Sequence, residues 1–504
     1  MTGMSRIPVA QRKQRAIALL QAGSIAEAKE IFEGLSRDVR RDPDVWHLLA
    51  ACHCMLGDDI QGEVFARKAI ALMPSFAGAW VNLGSAMQRQ HKLTEAESAL
   101  REAIKHAPGD AQAHSNLGNV YREMKKTDEA EKCYREALHL QPNFPDALTN
   151  LGLVLQDRGE LTEATTLHRR ALALNAQHVD AHYNLGYALC LLGVEKSAIP
   201  FLERVTQIRP DEMRGWISLG GAYARVHDLK RAVACHERGV SLDPDNAENL
   251  SALGVCYLII GEREKSVAAL TRSLELNPGD SDISYWLAAA GVGETPETMS
   301  PNAVAKLFDG YAGNFDEHLV GKLQYRAPAL LSGALRRALG DEVRALSLLD
   351  LGCGTGLLGM EVKDIAEYLA GVDLSPKMIE QARTRGIYHD LAVQDITDYM
   401  ETVSRHFDVV VSADVFVYLG NLDRVFAATS LCLSPEGLFV FSVEAHIGDE
   451  PYHLRTSGRY AHSLPYLREL SARHGFTEIS FETITLRMEN NLPIDGYVVA
   501  LRRL

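Results

Sequence analysis

At 504 residues, 46% hydrophobic and 23% charged, the chain has the make-up of a soluble globular protein and the length for two or more domains. A net charge of −14 without any long Lys/Arg block argues against a nucleic-acid or anionic-membrane surface. The opening MTGMSRIPVAQRKQ lacks a signal-peptide core, no apolar run approaches the ~20 residues of a membrane helix, and eight scattered cysteines fit a reducing, cytoplasmic setting.

In chain order, residues 1–8 read as a tail and residues 9–290 as repeats. Trp46, Trp80 and Trp216 are separated by multiples of 34, as are the Leu-Gly pairs at 83, 117, 151, 185, 219 and 253. Ala96, Ala130, Ala164, Ala198 and Ala232 keep the same step, and Pro74, Pro108, Pro142, Pro210, Pro244 and Pro278 close their units. Small residues at fixed positions let two helices approach closely, with proline at the exit. The region resembles the tetratricopeptide repeat, with about seven repeats and one trailing helix. The resemblance implies an all-α solenoid, a right-handed superhelix with a concave groove. Cys52-His53-Cys54 falls inside a repeat and lacks a second ligand pair, so it reads as packing, and no metal site is expected.

Asn82, Asn116, Asn150 and Asn184 precede the Leu-Gly pair in four successive repeats, and the pattern lapses at Leu48, Ser218 and Ala252. An amide both donates and accepts, so such a ladder suits the backbone of an extended peptide. It is similar to the asparagine ladder of the O-GlcNAc transferase superhelix, which implies a protein or peptide partner in the groove. Asparagine tolerated at a helix position is the plain alternative.

Residues 291–300, GVGETPETMS, are rich in breakers and read as a short linker to a second domain at 301–504. Residues 302–340 are helical. Then comes LSLLDLGCGTGLLGM from Leu346 to Met360: a buried strand, an acidic residue, glycines at alternate positions, and a helix start. Gly352, Gly354 and Gly356 permit a tight turn and close backbone approach to a ligand. GTGLLG also satisfies the dinucleotide pattern GxGxxG, a weak signal taken alone. The loop as a whole is DxGxGxG and resembles motif I of the class I S-adenosylmethionine-dependent methyltransferases. Strands at 367–374, 390–394, 407–412, 437–444, 476–487 and 496–501 alternate with helices at 376–385, 422–433 and 464–474. Such alternation indicates a parallel sheet covered on both faces, with an antiparallel pair at the end. The resemblance implies a Rossmann-like domain of seven strands, the seventh reversed.

It also implies a site at the sheet's carboxyl edge. Asp350, Gly352, Cys353, Gly354 and Gly356 would hold the methionine portion of S-adenosyl-L-methionine. Asp373, with Leu374, would take the ribose hydroxyls; Asp395, the adenine amino group; Ile396, the ring. Ser412, Ala413 and Asp414 would line the other side. Tyr311, Phe315 and Tyr325 fall in the segment that closes over the cofactor in this family, Tyr311 being the strongest lid candidate. A nicotinamide enzyme has no use for Asp395. On the acceptor side, Tyr418, Glu444 and His446 are candidate catalytic groups, His446 because imidazole titrates near neutrality. His453, Arg459 and His462 are further candidates, and the polar SGRYAHS, Ser457–Ser463, reads as a loop in which Arg459 can pair with a carboxylate or phosphate. The expectation is methyl transfer to an O or N acceptor, with the repeats recruiting a protein. The alternatives are a scaffold with a non-catalytic cofactor-binding domain and a small-molecule enzyme whose repeats serve assembly. The lid sequence and SGRYAHS are similar to those of predicted bacterial methyltransferases that carry tetratricopeptide repeats.

Overall fold

The computed structural model describes residues 8–311, 316, 326–340, 345–489 and 492–504, and the chain forms two compact units, Met1–Ala188 and Leu189–Leu504. Among the described residues no helix is long and apolar enough to cross a membrane.

Helix pairs begin at Val9, Pro43, Ala77, Ala111, Pro145, Val179, Met213 and Ala247, each 34 residues after the last, and a trailing helix spans Ser281–Ala289. Among the described residues there are thus eight pairs, one more than the sequence motifs suggested. The first is silent in sequence because Ala16 and Ala50, both fully buried, stand where later repeats carry glycine. Glycine is needed where the facing side chain is pressed close. A Cβ at Gly84 would lie 2.5 Å from Leu100, at Gly118 2.7 Å from Tyr134, at Gly152 2.6 Å from His168 and at Gly220 2.7 Å from His236. The recurrent tryptophan has a local reason too. Each ring N–H donates to the carbonyl six residues back, Trp46 to Arg40 at 2.9 Å, Trp80 to Pro74 at 2.8 Å and Trp216 to Pro210 at 2.9 Å. His114 and His182 stand at the equivalent position and pair with Pro108 and Ala176 at 3.0 Å.

In the second unit the strands are β1 Leu346–Leu351, β2 Ala366–Asp373, β3 Asp390–Val393, β4 Phe407–Ser412, β5 Leu433–His446, β6 Tyr452–Leu454, β7 Tyr460–Ser463, β8 Phe476–Glu489 and β9 Leu492–Arg503. β3, β2, β1, β4 and β5 pair in parallel in that order, and β9 then runs antiparallel between β5 and β8. Alternate residues serve opposite faces. Leu348, Val409, Val411 and Val440 join one apolar layer, whereas Leu349, Val410, Phe439 and Phe441 join the other. The sheet exceeds the expected seven strands by a hairpin. The tip of β5, Glu444–His446, pairs in parallel with β7, and β6 lies outside it. SGRYAHS is therefore no polar loop: Tyr460–Ser463 is a wholly buried strand.

That hairpin receives the last helix of the repeats. Tyr285 Oη donates to the Gly458 carbonyl at 2.8 Å, and Tyr460 Oη to the Pro296 carbonyl at 2.6 Å. Leu258, Tyr285, Ala289, Met299, Leu454 and Tyr460 form one buried apolar cluster. The linker is bonded along its length: Thr298 bridges to Leu419, Met299 N–H donates to the Tyr418 carbonyl at 3.0 Å, and Gly420 N–H to the Glu297 carbonyl at 2.7 Å.

Candidate active site

The turn after β1 holds Gly352, Gly354 and Gly356 at φ 62°, 53° and 90°, the left-handed region that glycine enters without strain. Asp373 closes β2. Its carboxylate accepts the Gly354 N–H at 2.9 Å and the Ser375 N–H at 2.8 Å, which fixes it against the turn. Burial raises its pKa, and these two N–H bonds oppose the rise. Leu374 is half-buried beside it.

Asp350 is sealed beneath the loop. Tyr388 Oη donates to it at 2.7 Å, and burial pushes its pKa up to about 7. It is 1% exposed, so in this structure Tyr388 and the loop take up the side chain that the sequence suggested for the methionine portion. Tyr388 was not singled out from sequence, yet three glycines are shaped around it. A Cβ at Gly356, Gly359 or Gly371 would come within 3.0, 2.4 and 2.9 Å of its ring or hydroxyl. The glycines of GTGLLG thus serve the turn and this tyrosine together. Cys353 also points inward, into a small cluster with Ile379 and Ala382, and burial raises its thiol.

Three further cofactor candidates have partners within the fold. Ser412 is 0% exposed and donates to the Leu351 carbonyl at 3.3 Å, so it ties β4 to β1. Ile396 is folded into the apolar layer with Leu351 and Val372. One oxygen of Asp395 caps the helix Ile396–Thr402, taking N–H bonds from Thr397 at 2.8 Å and Asp398 at 3.2 Å. Asp414 has a left-handed φ of 56°, and its oxygens meet Ser442 at 3.1 Å and Arg487 at 3.3 Å. The side chain of Tyr311, with Phe315 and Tyr325, lies outside the described residues. Its segment does reach the loop. Asp309 accepts from Ser375 Oγ at 2.5 Å, and Asp316 accepts from Thr355 Oγ1 at 2.5 Å and pairs with Arg385.

The acceptor side differs from expectation most at Glu444. It is 1% exposed, bonds Arg487 of β8, meets Arg455 at 2.8 Å, and lies 3.8 Å from Arg459. Its carboxylate is thus taken up by arginines, which it anchors. His462 is fully buried, its Nε2 bridging the Leu419 and Gly420 carbonyls at 2.9 and 3.1 Å, and burial lowers its pKa to about 4. It braces the loop after β4. His446 is half-buried against His453, ring centroids 5.4 Å apart, and burial, His453 and Arg455 lower its pKa while Glu450 opposes them. Tyr418 lies in the turn Phe416–Tyr418, edge-on to Phe308 at 5.5 Å. Of the candidate bases, His446 and Tyr418 retain placements compatible with that role. Among the described residues no cluster suits a metal ion.

The asparagines are placed between repeats. Asn82 Nδ2 donates to the His47 carbonyl at 3.0 Å, Asn116 to Ser85 Oγ at 2.9 Å and Asn150 to Asn119 Oδ1 at 2.9 Å, while Asn184 is buried. Each bond joins the first helices of successive pairs.

Residues 349–441 match the family model described as a methyltransferase domain, residues 247–280 that of the tetratricopeptide repeat, and residues 5–206 that of the cilia and flagella-associated protein 70 C-terminal domain. Human methyltransferase-like protein 27 is 38% identical over 96 residues, 18% of this chain and 39% of the relative. Malonyl-(acyl-carrier protein) O-methyltransferase of Geobacter sulfurreducens is 35% identical over 132 residues, 25% of this chain and 48% of the relative. The chain thus spans about half the length, or less, of these curated relatives. YrrB, a solved TPR protein with an unusual peptide-binding site, is 24% identical, with 36% of this chain and 95% of that one covered at a TM-score of 0.34.

Proposed function

From a chain in which a methyltransferase domain of class I fold follows tetratricopeptide repeats, we propose an S-adenosyl-L-methionine-dependent transfer of methyl to an O or N acceptor. The repeats recruit the protein that is, or carries, the acceptor. The observation that carries this reading is Asp373, held at the tip of β2 by N–H groups from the glycine turn and from Ser375. The residues fit the cofactor: glycines leave the turn open to close approach, and a positioned carboxylate suits a pair of vicinal hydroxyls.

When bound, S-adenosylmethionine supplies a methyl group on a sulfonium that leaves as a neutral thioether. Asp373 would accept hydrogen bonds from the ribose hydroxyls, with Leu374 next to it, and the remaining oxygen of Asp395 would serve the adenine amino group. The backbone of Gly352–Gly356 would hold the amino-acid end, with Asp350, Tyr388 and Cys353 supporting that backbone from beneath. The chain's main task is to position the acceptor in line, about 3–3.5 Å from the methyl carbon. A protonated acceptor also needs a base, for which His446 is suited because burial lowers its imidazole's pKa; Tyr418 is the alternative.

Titration calorimetry of the full chain with S-adenosylmethionine tests the reading. Binding is expected, together with its loss by at least tenfold in Asp373→Ala. No heat from the wild type, or unchanged affinity in the variant, overturns the assignment. A protein that binds but transfers no methyl group to any fraction of a cell extract is a scaffold.

A further inference from the structure

The loop that follows β4 leaves the sheet at its carboxyl edge, where open α/β sheets hold their ligands. It borders the cofactor turn: a Cβ added at Gly352 would lie 2.2 Å from Val415. Its two ends are held separately. At the near end the Asp414 N–H donates to Ser442 Oγ of β5 at 3.0 Å, and that hydroxyl donates to the Asp414 carboxylate at 3.1 Å. The far end, Tyr418–Asn421, is bonded to the linker and to β7. Met299 N–H donates to the Tyr418 carbonyl at 3.0 Å, and the Glu297 carbonyl accepts from the N–H groups of Gly420 and Asn421 at 2.7 and 3.1 Å. His462 Nε2 lies 2.9 Å from the Leu419 carbonyl and 3.1 Å from that of Gly420, so it carries the proton and donates. A Cβ at Gly420 would come within 2.6 Å of the Tyr452 ring and 2.8 Å of the Tyr460 ring, which shows how closely the far end lies on the hairpin. Between the two ends is a three-residue 3₁₀ turn, Phe416–Tyr418, too short to hold itself. The linker is anchored in turn. Ser300 Oγ donates to Asp282 of the trailing repeat helix at 2.7 Å, and the Pro296 carbonyl accepts from Tyr460 Oη at 2.6 Å.

Resting on the methyltransferase reading above, we infer that Glu297, Met299 and His462 are positioning residues of the acceptor site: they fix the loop Val415–Asn421 beside the cofactor turn, and methyl transfer depends on them while cofactor binding does not. Backbone N–H and C=O groups are obligatory hydrogen-bonding groups, so a loop settles where its partners stand. The partners of Tyr418–Asn421 named above all come from the linker or from β7. Val415, by contrast, follows directly on Asp414, which the sheet holds. Loss of the linker's bonds therefore frees Tyr418 and its neighbours and leaves the contact with Gly352 in place. An acceptor must stand about 3–3.5 Å from the methyl carbon, and a displacement of about 1 Å at such a site costs on the order of a hundredfold in rate. The trailing repeat helix, tied to the linker through Asp282 and to the hairpin through Tyr285, is thereby a working part of the enzyme as well as the end of the solenoid.

Two pairs of variants in the full chain test this, each followed by calorimetry with S-adenosylmethionine and by the rate of labelled methyl transfer into cell extract. Met299→Pro removes the N–H that meets the Tyr418 carbonyl. Thr298 is extended in its bridge to Leu419, the conformation a residue before proline prefers, so the chain accommodates the change. Met299→Ala loses the same side chain and keeps the N–H. Transfer by the proline variant is expected to be at least tenfold slower than by the alanine variant, with cofactor affinities within twofold of each other. His462→Phe removes the donor to Leu419 and Gly420 and is expected to slow transfer at least tenfold, and His462→Gln, whose amide N–H donates again, to fall between it and the wild type. Equal rates in the proline and alanine variants overturn the inference and leave methyl transfer standing, even should His462→Phe fail to fold. Cofactor affinity that falls in step with the rate also overturns it, because the loop then serves the cofactor turn. A wild type that binds no S-adenosylmethionine, or binds it and labels nothing in the extract, overturns the methyltransferase reading and the inference with it.

Discussion

His168 is 0% exposed, neither ring nitrogen has a hydrogen-bond partner among the described residues, and burial lowers its pKa to about 4. A group whose folded pKa lies below its unfolded value binds fewer protons in the native state. Stability is therefore fully present above about pH 6.5 and falls as pH drops toward 4. Leu100, Leu202 and Leu270 occupy the same repeat position, each fully buried. His168→Leu is expected to raise stability at pH 7 by about 1–3 kcal/mol, the desolvation cost of unpaired polar atoms, and to flatten the acid slope; urea midpoints at pH 7 and pH 5 measure both. The reverse case is Tyr388. Tyr388→Phe keeps the ring but removes the hydroxyl that meets buried Asp350, at a cost of about 1–3 kcal/mol. Gly359→Ala forces a Cβ to within 2.4 Å of that hydroxyl. It is expected to displace the turn and weaken S-adenosylmethionine binding at least tenfold by calorimetry.

Among elements, the hairpin of β6 and β7 shows what periodicity alone misses. β7 looks like a polar loop in sequence and is wholly buried in fact, because the trailing repeat helix packs on Tyr460 and β5 pairs along the strand. Gly458 sits at φ 71°, and a Cβ there would lie 2.6 Å from the Trp286 ring. Gly458→Ala combines left-handed strain with a clash and is expected to cost about 2 kcal/mol or more, seen as a lowered urea midpoint and faster proteolysis near residue 291. The asparagine positions make a second case. Their amides tie successive first helices, so Asn82→Ala, Asn116→Ala and Asn150→Ala should each cost about 1 kcal/mol through the lost bond. A stability series that shows no loss would argue against the inter-repeat role.

At the scale of the whole chain, the boundary between compact units falls at residue 188, inside a repeat helix, while the composition of the sequence marks 291–300. The methyltransferase half therefore ends, in packing terms, within the repeats. A fragment of residues 301–504 would strip Tyr285, Pro296 and Met299 from Tyr460 and Tyr418 and expose their apolar cluster. It is expected to melt at a lower temperature than residues 179–504, by differential scanning calorimetry; equal midpoints would show that the joint contributes nothing.

The 34-residue step, the glycine turn and the strand–helix alternation were legible in the sequence because each is a local pattern. A periodicity, a conformational need for glycine, or an apolar run is written in neighbouring residues. Asp373 was legible for the same reason, as the last residue of an apolar strand. The roles of Glu444, Ser412, Asp350 and His462 were decided only by tertiary structure, since each depends on what lies opposite. Arg487 is 43 residues from Glu444, Tyr388 38 residues from Asp350, and the Leu419 carbonyl 43 residues from His462. A side chain's chemistry is read from its type, but its protonation and availability are set by partners that folding alone brings within reach.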